Sequence, residues 1–257
     1  MNKPSLKARM QRGDILAGTF LKTPAHELVE ILALSGMDFV ALDAEHAAFD
    51  RARLDACLAV ARALKFPVLV RVTDGTQAEI LKALDSGADG VIIPHVATVE
   101  KAQNIVKWSR FGHGGRGFTG SSRWSGFSTR GMPELLQKSN EETIVIAQIE
   151  EPEGVDVVDS IAATDGIDGL FVGPADLAVC FGETDIAAPK VRKAMASVGA
   201  AAKKHSCTCM TYIPSPESAA ELLKIGVSMF FVGSDQSYVL SAARDATNEL
   251  HALDTQA

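Results

Sequence analysis

Cysteine, tryptophan, tyrosine and surplus positive charge are all scarce in this 257-residue chain. The four cysteines (Cys57, Cys180, Cys207, Cys209) form neither a paired framework nor a zinc-ligand spacing, and read as reduced thiols of a cytosolic protein. Lys and Arg number 25 against 32 Asp and Glu, a net charge of −7, and nowhere gather into a basic stripe; nucleic acid is not an expected partner. No apolar run approaches the roughly 20 residues of a membrane span. Met1 to Arg12 is polar and basic without an apolar stretch, so no secretory signal is expected. These absences lead to the expectation of a soluble, cytoplasmic protein.

Cofactor and nucleophile motifs are missing too. Gly112-His113-Gly114-Gly115-Arg116-Gly117 fits G-x-G-x-x-G, but it comes after a helical segment and opens none, so the dinucleotide reading fails its context. There is no Walker sequence and no nucleophile elbow. A Schiff-base mechanism needs a buried lysine; the strands hold none, and only Lys22 lies near one.

What is present is alternation. With 47% hydrophobic residues the chain can bury a large core, and short apolar runs alternate with amphipathic stretches throughout. The runs predict strands at Ile15–Leu21, Asp38–Asp43, Pro67–Val72, Gly90–Pro94, Thr143–Ile149, Gly169–Gly173, Cys207–Tyr212 and Met229–Gly233. A helix comes after each, the last at Ser237–Leu253; Pro24 and Pro189 suit first turns, Thr98 and Ser215 suit N-caps. Gly36, Gly87 and Gly226 suit left-handed C-caps. Eight strand–helix units in about 250 residues predict a single (β/α)8 barrel spanning 1–257, ahead of an open doubly wound sheet. Arg110 to Gly131 is a long irregular insertion, of a kind more often functional than idle.

In such a barrel chemistry gathers at the carboxyl ends of the strands. The second strand ends in Asp43, Glu45 and His46; the third carries Arg71; the fifth ends with Gln148 and Glu150 on one face; the sixth runs into Gly173-Pro174-Ala175-Asp176. Glu150 and Asp176, from adjacent strands and expected to have no nearby His or Cys partner, suit a hard divalent ion such as Mg²⁺ or Mn²⁺. The Gly173–Asp176 turn offers amides to an anion. Arg71 would stabilise developing negative charge, and His46 would accept a proton with Asp43 orienting it. Together these describe enolisation of a 2-oxo acid. Each group also has a plainer use: strand-end carboxylates cap helices, and Arg71 pairs with Asp43 or Glu150 in a structural ion pair. Their gathering on one rim favours chemistry, because independent caps would have no reason to avoid the other rim.

Asp43-Ala44-Glu45-His46, Arg71, Gln148-Ile149-Glu150 and Val172-Gly173-Pro174-Ala175-Asp176-Leu177 resemble the HpcH/HpaI family of class II pyruvate aldolases, from about Gly13 to the last helix. The resemblance implies that Glu150 and Asp176 hold a divalent metal ion (Mg²⁺, Mn²⁺ or Co²⁺) that chelates pyruvate. It implies substrate contacts from Gln148, Gly173, Ala175 and Asp176, enolate stabilisation by Arg71, and His46 as base. It further implies a homo-hexamer that exchanges the last helix between barrels, with Asp85 lent to a neighbour's histidine. The family's Gly-Arg-Gly core survives at Gly115-Arg116-Gly117, but the residues from Phe118 to Trp124 depart from its pattern, so aldehyde preference does not carry over. That loop is expected to border the aldehyde pocket, with Phe20, Phe118 and Tyr212 as candidate apolar walls. The expected activity is reversible cleavage of a 4-hydroxy-2-oxo acid to pyruvate and an aldehyde. Alternatives are a CoA-thioester lyase of the malyl- or citramalyl-CoA type and a non-catalytic metabolite-binding barrel.

Overall fold

The computed structural model describes residues 4–254; the terminal residues 1–3 and 255–257 of the expected domain lie outside the described residues. Eight parallel strands close in sequence order: β1 Leu16–Leu21, β2 Phe39–Asp43, β3 Val68–Arg71, β4 Gly90–Ile93, β5 Ile144–Ile149, β6 Gly169–Val172, β7 Thr208–Ile213 and β8 Val227–Ser234. The helices are α1 Leu6–Gln11, α2 His26–Leu34, α3 Arg51–Leu64, α4 Gln77–Asp85, α5 Val99–Ser109, α6 Met132–Glu142, α7 Pro152–Asp156, α8 Val158–Ala162, α9 Pro174–Cys180, α10 Pro189–Lys204, α11 Ala219–Lys224 and α12 Asp235–Asp254. This is the predicted (β/α)8 barrel. Among the described residues no helix is long and apolar enough to cross a membrane.

Alternation along the strands builds two cores. Leu16, Phe20, Phe39, Leu69, Ile144, Ile146, Phe171 and Phe231 point inward and fill the barrel. Val40, Leu42, Val70, Val145, Ala147 and Val172 point outward against the helices. The same alternation sends Arg71, Gln148 and Glu150 inward at the carboxyl ends of β3 and β5, as their spacing predicts.

Caps obey the sequence at several ends. Thr98 accepts from Lys101 N at 3.1 Å. Pro189 opens α10, and Gly36, Gly87 and Gly226 have φ of 88°, 110° and 94°. Other expectations need correction. Pro24 precedes the N-cap Ala25 instead of entering α2, and Ser215 makes no side-chain cap because Pro216–Ser218 is a tight 3₁₀ turn. The helix expected over Glu153–Ala162 breaks at Val157.

Two elements are not evident from the residues alone. One is α6. The other is α1, whose Ser5 accepts from Ala8 N at 3.2 Å and whose Leu6 and Met10, one turn apart, plug the amino end of the barrel. The basic residues around that i, i+4 pair disguise it. Lys7 and Arg9 of α1 reach Asp168 at 2.8 Å and Asp38 at 2.6 Å.

Those aspartates form a pattern. Asp38, Asp89 and Asp168 immediately precede β2, β4 and β6, and each accepts the amide of the preceding strand: Ala17 N at 3.0 Å, Val68 N at 2.8 Å and Val145 N at 2.9 Å. Acidic groups therefore do not avoid the amino rim. The carboxyl rim is set apart by how its acids are satisfied.

Candidate active site

Strand β2 delivers Asp43, and the turn after it delivers Glu45 and His46. Asp43 is fully buried and accepts both Nε (3.0 Å) and Nη2 (2.8 Å) of Arg71. A guanidinium cannot shed its charge, so a buried one takes a fork-shaped carboxylate partner. Phe20 lies beneath it, buried, 4.5 Å from ring centroid to guanidinium carbon. Burial pushes the Asp43 carboxyl upward, but Arg71 outweighs that and holds it below the usual range. Asp43 meets His46 only at the backbone amide, 3.2 Å away. The expectation that Asp43 orients the imidazole is thus corrected: its oxygens are taken by Arg71, and the ring's neighbour is Glu45, with Nε2 3.7 Å from Oε2. The His46 side chain is 59% exposed. Lys22, a third exposed, sits 3.8 Å from Asp43 as a peripheral cation. It lacks the burial a Schiff-base lysine requires.

The Glu45 side chain is 8% exposed. Burial raises its carboxyl above the usual range, with Glu150 adding to the effect against Arg71, His46 and His95. Its Oε2 is buried without a hydrogen-bond partner. Arg71 Nε lies 3.2 Å from it, but that hydrogen goes to Asp43. Gln148 donates its amide to Glu150 Oε2, while Gln148 Oε1 is buried and unpartnered. Orphaned buried acceptors are rare in folded proteins, and two within one site call for a ligand.

Glu150 is 3% exposed and stands at the centre. The space a Cβ on Gly173 would fill is bounded by Glu150 Cβ at 2.9 Å, Asp176 Oδ2 at 3.1 Å and Glu150 Oε2 at 3.3 Å. Glycine is therefore required where β6 turns into α9, and its absent side chain lets the two carboxylates approach. Pro174 has no amide hydrogen, so Ala175 and Asp176 supply the free first-turn N–H groups of α9.

His95, just beyond β4, is a functional candidate that the sequence pattern does not single out. It adopts a left-handed φ of 55°, donates its backbone N–H to Glu150 Oε1 at 2.8 Å, and places Nδ1 3.1 Å from the same oxygen and from Glu151 Oε1. Its Nε2 is 3.7 Å from Glu45 Oε1. The premise that no histidine accompanies the carboxylates is corrected accordingly. The signal available was a histidine directly after the apolar run Val91-Ile92-Ile93-Pro94, where the other strands carry their polar residues.

Two expected contributors lie elsewhere in this chain. Asp85 ends α4, at the amino rim, where it accepts Nε (3.0 Å) and Nη2 (2.5 Å) of the buried Arg116. A helix that returns to the start of the next strand ends on the far side of the barrel, so Asp85 cannot reach the His46 of its own barrel. The Arg110–Gly131 segment does not border its own barrel's site either. It packs outside α3 and α4, with Gly115 O accepting from Gln77 at 2.5 Å and Arg123 meeting Asp55 at 2.7 Å. Phe118 meets Phe111 edge to face, and Phe111 meets Trp124 in the same way.

Residues 16–242 match the family model described as HpcH/HpaI aldolase/citrate lyase. The chain belongs to this family. As a member it is a carbon–carbon lyase. It is 37% identical over 251 residues to the 5-keto-4-deoxy-D-glucarate aldolase of Citrobacter koseri, covering 97% of this chain and 95% of that one. A solved HpcH/HpaI aldolase/citrate lyase family protein from Burkholderia cenocepacia J2315 superposes with a TM-score of 0.90 at 34% identity, covering 96% of this chain and 98% of that one. The citrate synthase SbnG does so with a TM-score of 0.85 at 31% identity, over 96% and 98% of the two chains.

Proposed function

We propose that this family member catalyses metal-dependent, reversible cleavage of a 4-hydroxy-2-oxo acid to pyruvate and an aldehyde. The observation that carries the reading is the approach of Glu150 and Asp176 across Gly173, beside the Arg71–Asp43 pair and a solvent-accessible His46. The donor set fits a divalent ion: it is carboxylate, with Glu150 buried and Asp176 exposed, and beside it Glu45 Oε2 is buried without a hydrogen-bond partner. Glu150 and Asp176 would hold the ion. When bound, it supplies Lewis-acid polarisation of the 2-oxo group.

The protein's own groups do the rest. His46 takes the proton of the substrate's 4-hydroxyl; the C3–C4 bond breaks, releasing the aldehyde and leaving pyruvate as its enolate. The same imidazole, now protonated, returns the proton to C3. Asp43 occupies the Nε edge of Arg71, which presents its remaining donors to the enolate oxygen. Gln148 and the first-turn amides of Ala175 and Asp176 receive the carboxylate end of the substrate. The similarity to a 5-keto-4-deoxy-D-glucarate aldolase favours a keto-deoxy sugar diacid as the substrate class.

The site needs a second chain. From Val239 to Leu253 every residue of α12 is exposed, including Val239, Leu240, Leu250 and Leu253. An isolated helix of that length is marginal in water without a packed face. We infer that α12 docks on a partner barrel in a homo-oligomer, of six chains on the family resemblance, and that Asp85 completes a neighbour's site, since it cannot serve its own.

The test avoids the unknown aldehyde. Pyruvate is incubated with the protein in D₂O and loss of the methyl signal is tracked by NMR, with Mg²⁺, Mn²⁺ or Co²⁺ and then with chelator. Metal-dependent exchange is the expected result. No exchange with any of these ions overturns the pyruvate reading and brings the CoA-thioester alternative forward.

A further inference from the structure

We propose that His95 determines substrate specificity: its Nε2 accepts a hydrogen bond from a hydroxyl on C5 of the substrate, so that the enzyme favours 2-hydroxyaldehydes over their deoxy counterparts. This rests on the aldol function proposed above and names which aldehydes that function uses. The turn that carries His95 is held by its neighbours. The backbone N–H of His95 donates to Glu150 Oε1 at 2.8 Å, and its carbonyl accepts from Ala97 N at 3.0 Å. Val96 N donates to Gln148 O at 3.1 Å, and Lys101 Nζ donates to Pro94 O at 2.9 Å. The ring is fixed as well. Nδ1 lies 3.1 Å from Glu150 Oε1 and from Glu151 Oε1, and carboxylates only accept, so the hydrogen resides on Nδ1 and Nε2 is left as an acceptor. A left-handed φ of 55° is uncommon for a residue with a Cβ, and such conformations gather at functional sites.

The free nitrogen faces the place where the aldehyde half would lie. Glu45 Oε1 stands 3.7 Å from Nε2, beyond hydrogen-bond distance. Two acceptors that face each other call for a donor, and a hydroxyl supplies one. The carboxylates of Glu45, Glu150 and Glu151 surround the ring, so an anionic group is disfavoured there. His46 Nε2 is 3.7 Å from the other oxygen of Glu45, so the two imidazoles flank one carboxylate. With the 4-hydroxyl at His46, the hydroxyl of the next carbon falls to His95. The His95 side chain is 53% exposed, which leaves Nε2 open to a ligand.

The test compares two aldehydes in the direction of synthesis. Full-length protein, with the divalent ion that supports proton exchange, is given pyruvate and either glycolaldehyde or acetaldehyde, which differ by that one hydroxyl. The ratio of the two kcat/KM values is the readout, because a general loss of activity cancels in it. The wild type is expected to favour glycolaldehyde. In His95→Asn, which tolerates the left-handed backbone but is too short to reach, the ratio should fall about 3–10-fold, the worth of one net hydrogen bond. The loss should appear in KM for glycolaldehyde more than in kcat. His95→Gln keeps an acceptor of similar reach and should recover part of the preference, and it guards against misfolding of a single variant. A ratio that moves less than about twofold in His95→Asn, below the worth of a hydrogen bond, overturns the inference. So does a wild type without preference, or loss of all activity with both aldehydes in both variants. Aldol synthesis by the wild type leaves the proposed function standing in each of these cases. A wild type that neither adds pyruvate to an aldehyde nor exchanges its methyl protons overturns both.

Discussion

At the amino rim Asp38, Asp89 and Asp168 each accept a strand amide at 3.0 Å or less, and α1 lays Arg9 and Lys7 over two of them. At the carboxyl rim Asp43 is equally satisfied, yet Glu45 keeps an orphaned oxygen and Glu150 gathers Gln148, His95 and the approach of Asp176. Both rims place acids at strand ends. One spends them on backbone amides, as a cap does; the other holds them buried and partly unmatched. Incomplete satisfaction, not location, separates machinery from scaffold here.

The largest expected effect lies at the carboxyl rim. His46→Ala should lower turnover roughly 10²–10⁴-fold, the usual loss of a general base. The ring is mostly solvent-exposed, so the thermal midpoint should hardly move. Full activity in this variant would return His46 to the scaffold side of the comparison. Next is Arg71→Ala, which strands a fully buried Asp43 and should cost on the order of 3–5 kcal/mol in urea unfolding. It should also slow pyruvate proton exchange more than it weakens pyruvate binding. If stability alone changes, the Arg71–Asp43 pair belongs with the scaffold.

Asp168→Ala probes the opposite rim. It leaves the Val145 amide and Lys7 without their carboxylate and should cost about 1–3 kcal/mol. In protein still folded at assay temperature, kcat and KM should stay within about twofold, because the group faces away from the chemistry. A large catalytic defect would break the division of labour between the rims.

The smallest effect is the most diagnostic. Burial raises the Glu45 carboxyl in the folded protein, so its ionisation is easier in the unfolded chain. Such a group favours the folded state below the unfolded value near 4.5, and that contribution is lost as pH rises through the folded value. Glu45→Gln, assayed without metal, should therefore melt higher than the wild type at pH 7, and the advantage should disappear below about pH 4.5. A variant that melts lower at pH 7 would show Glu45 to be a structural acid like Asp38.

Much of this architecture is legible in the residues. Short apolar runs set the eight strands to within a few residues, and alternation puts Arg71, Gln148 and Glu150 inward correctly. The pairing of Arg71 with Asp43 is among the plainer uses the sequence suggests, but not that it would occupy the acid meant for His46. His95 is easily passed over because its place after the run ending in Pro94 is only a weak pattern; the neighbouring strand's Glu150 gives it meaning. α1 is hidden because Lys7 and Arg9 look solvated until Asp168 and Asp38 are brought beneath them.

The sequence by itself determined the barrel, its order and the rim on which the candidate chemistry lies, because hydrophobic period and turn chemistry are local properties of the chain. The tertiary structure alone decided which acid met which base: that Asp43 serves Arg71, that Glu45 turns toward His46 and His95, that Asp85 stands at the opposite end of its own barrel beside Arg116, and that the Arg110–Gly131 segment wraps α3 and α4. Those outcomes depend on the closing of β1 against β8 and on the few ångströms by which adjacent strand ends approach. At that range, geometry settles which charges can be paired.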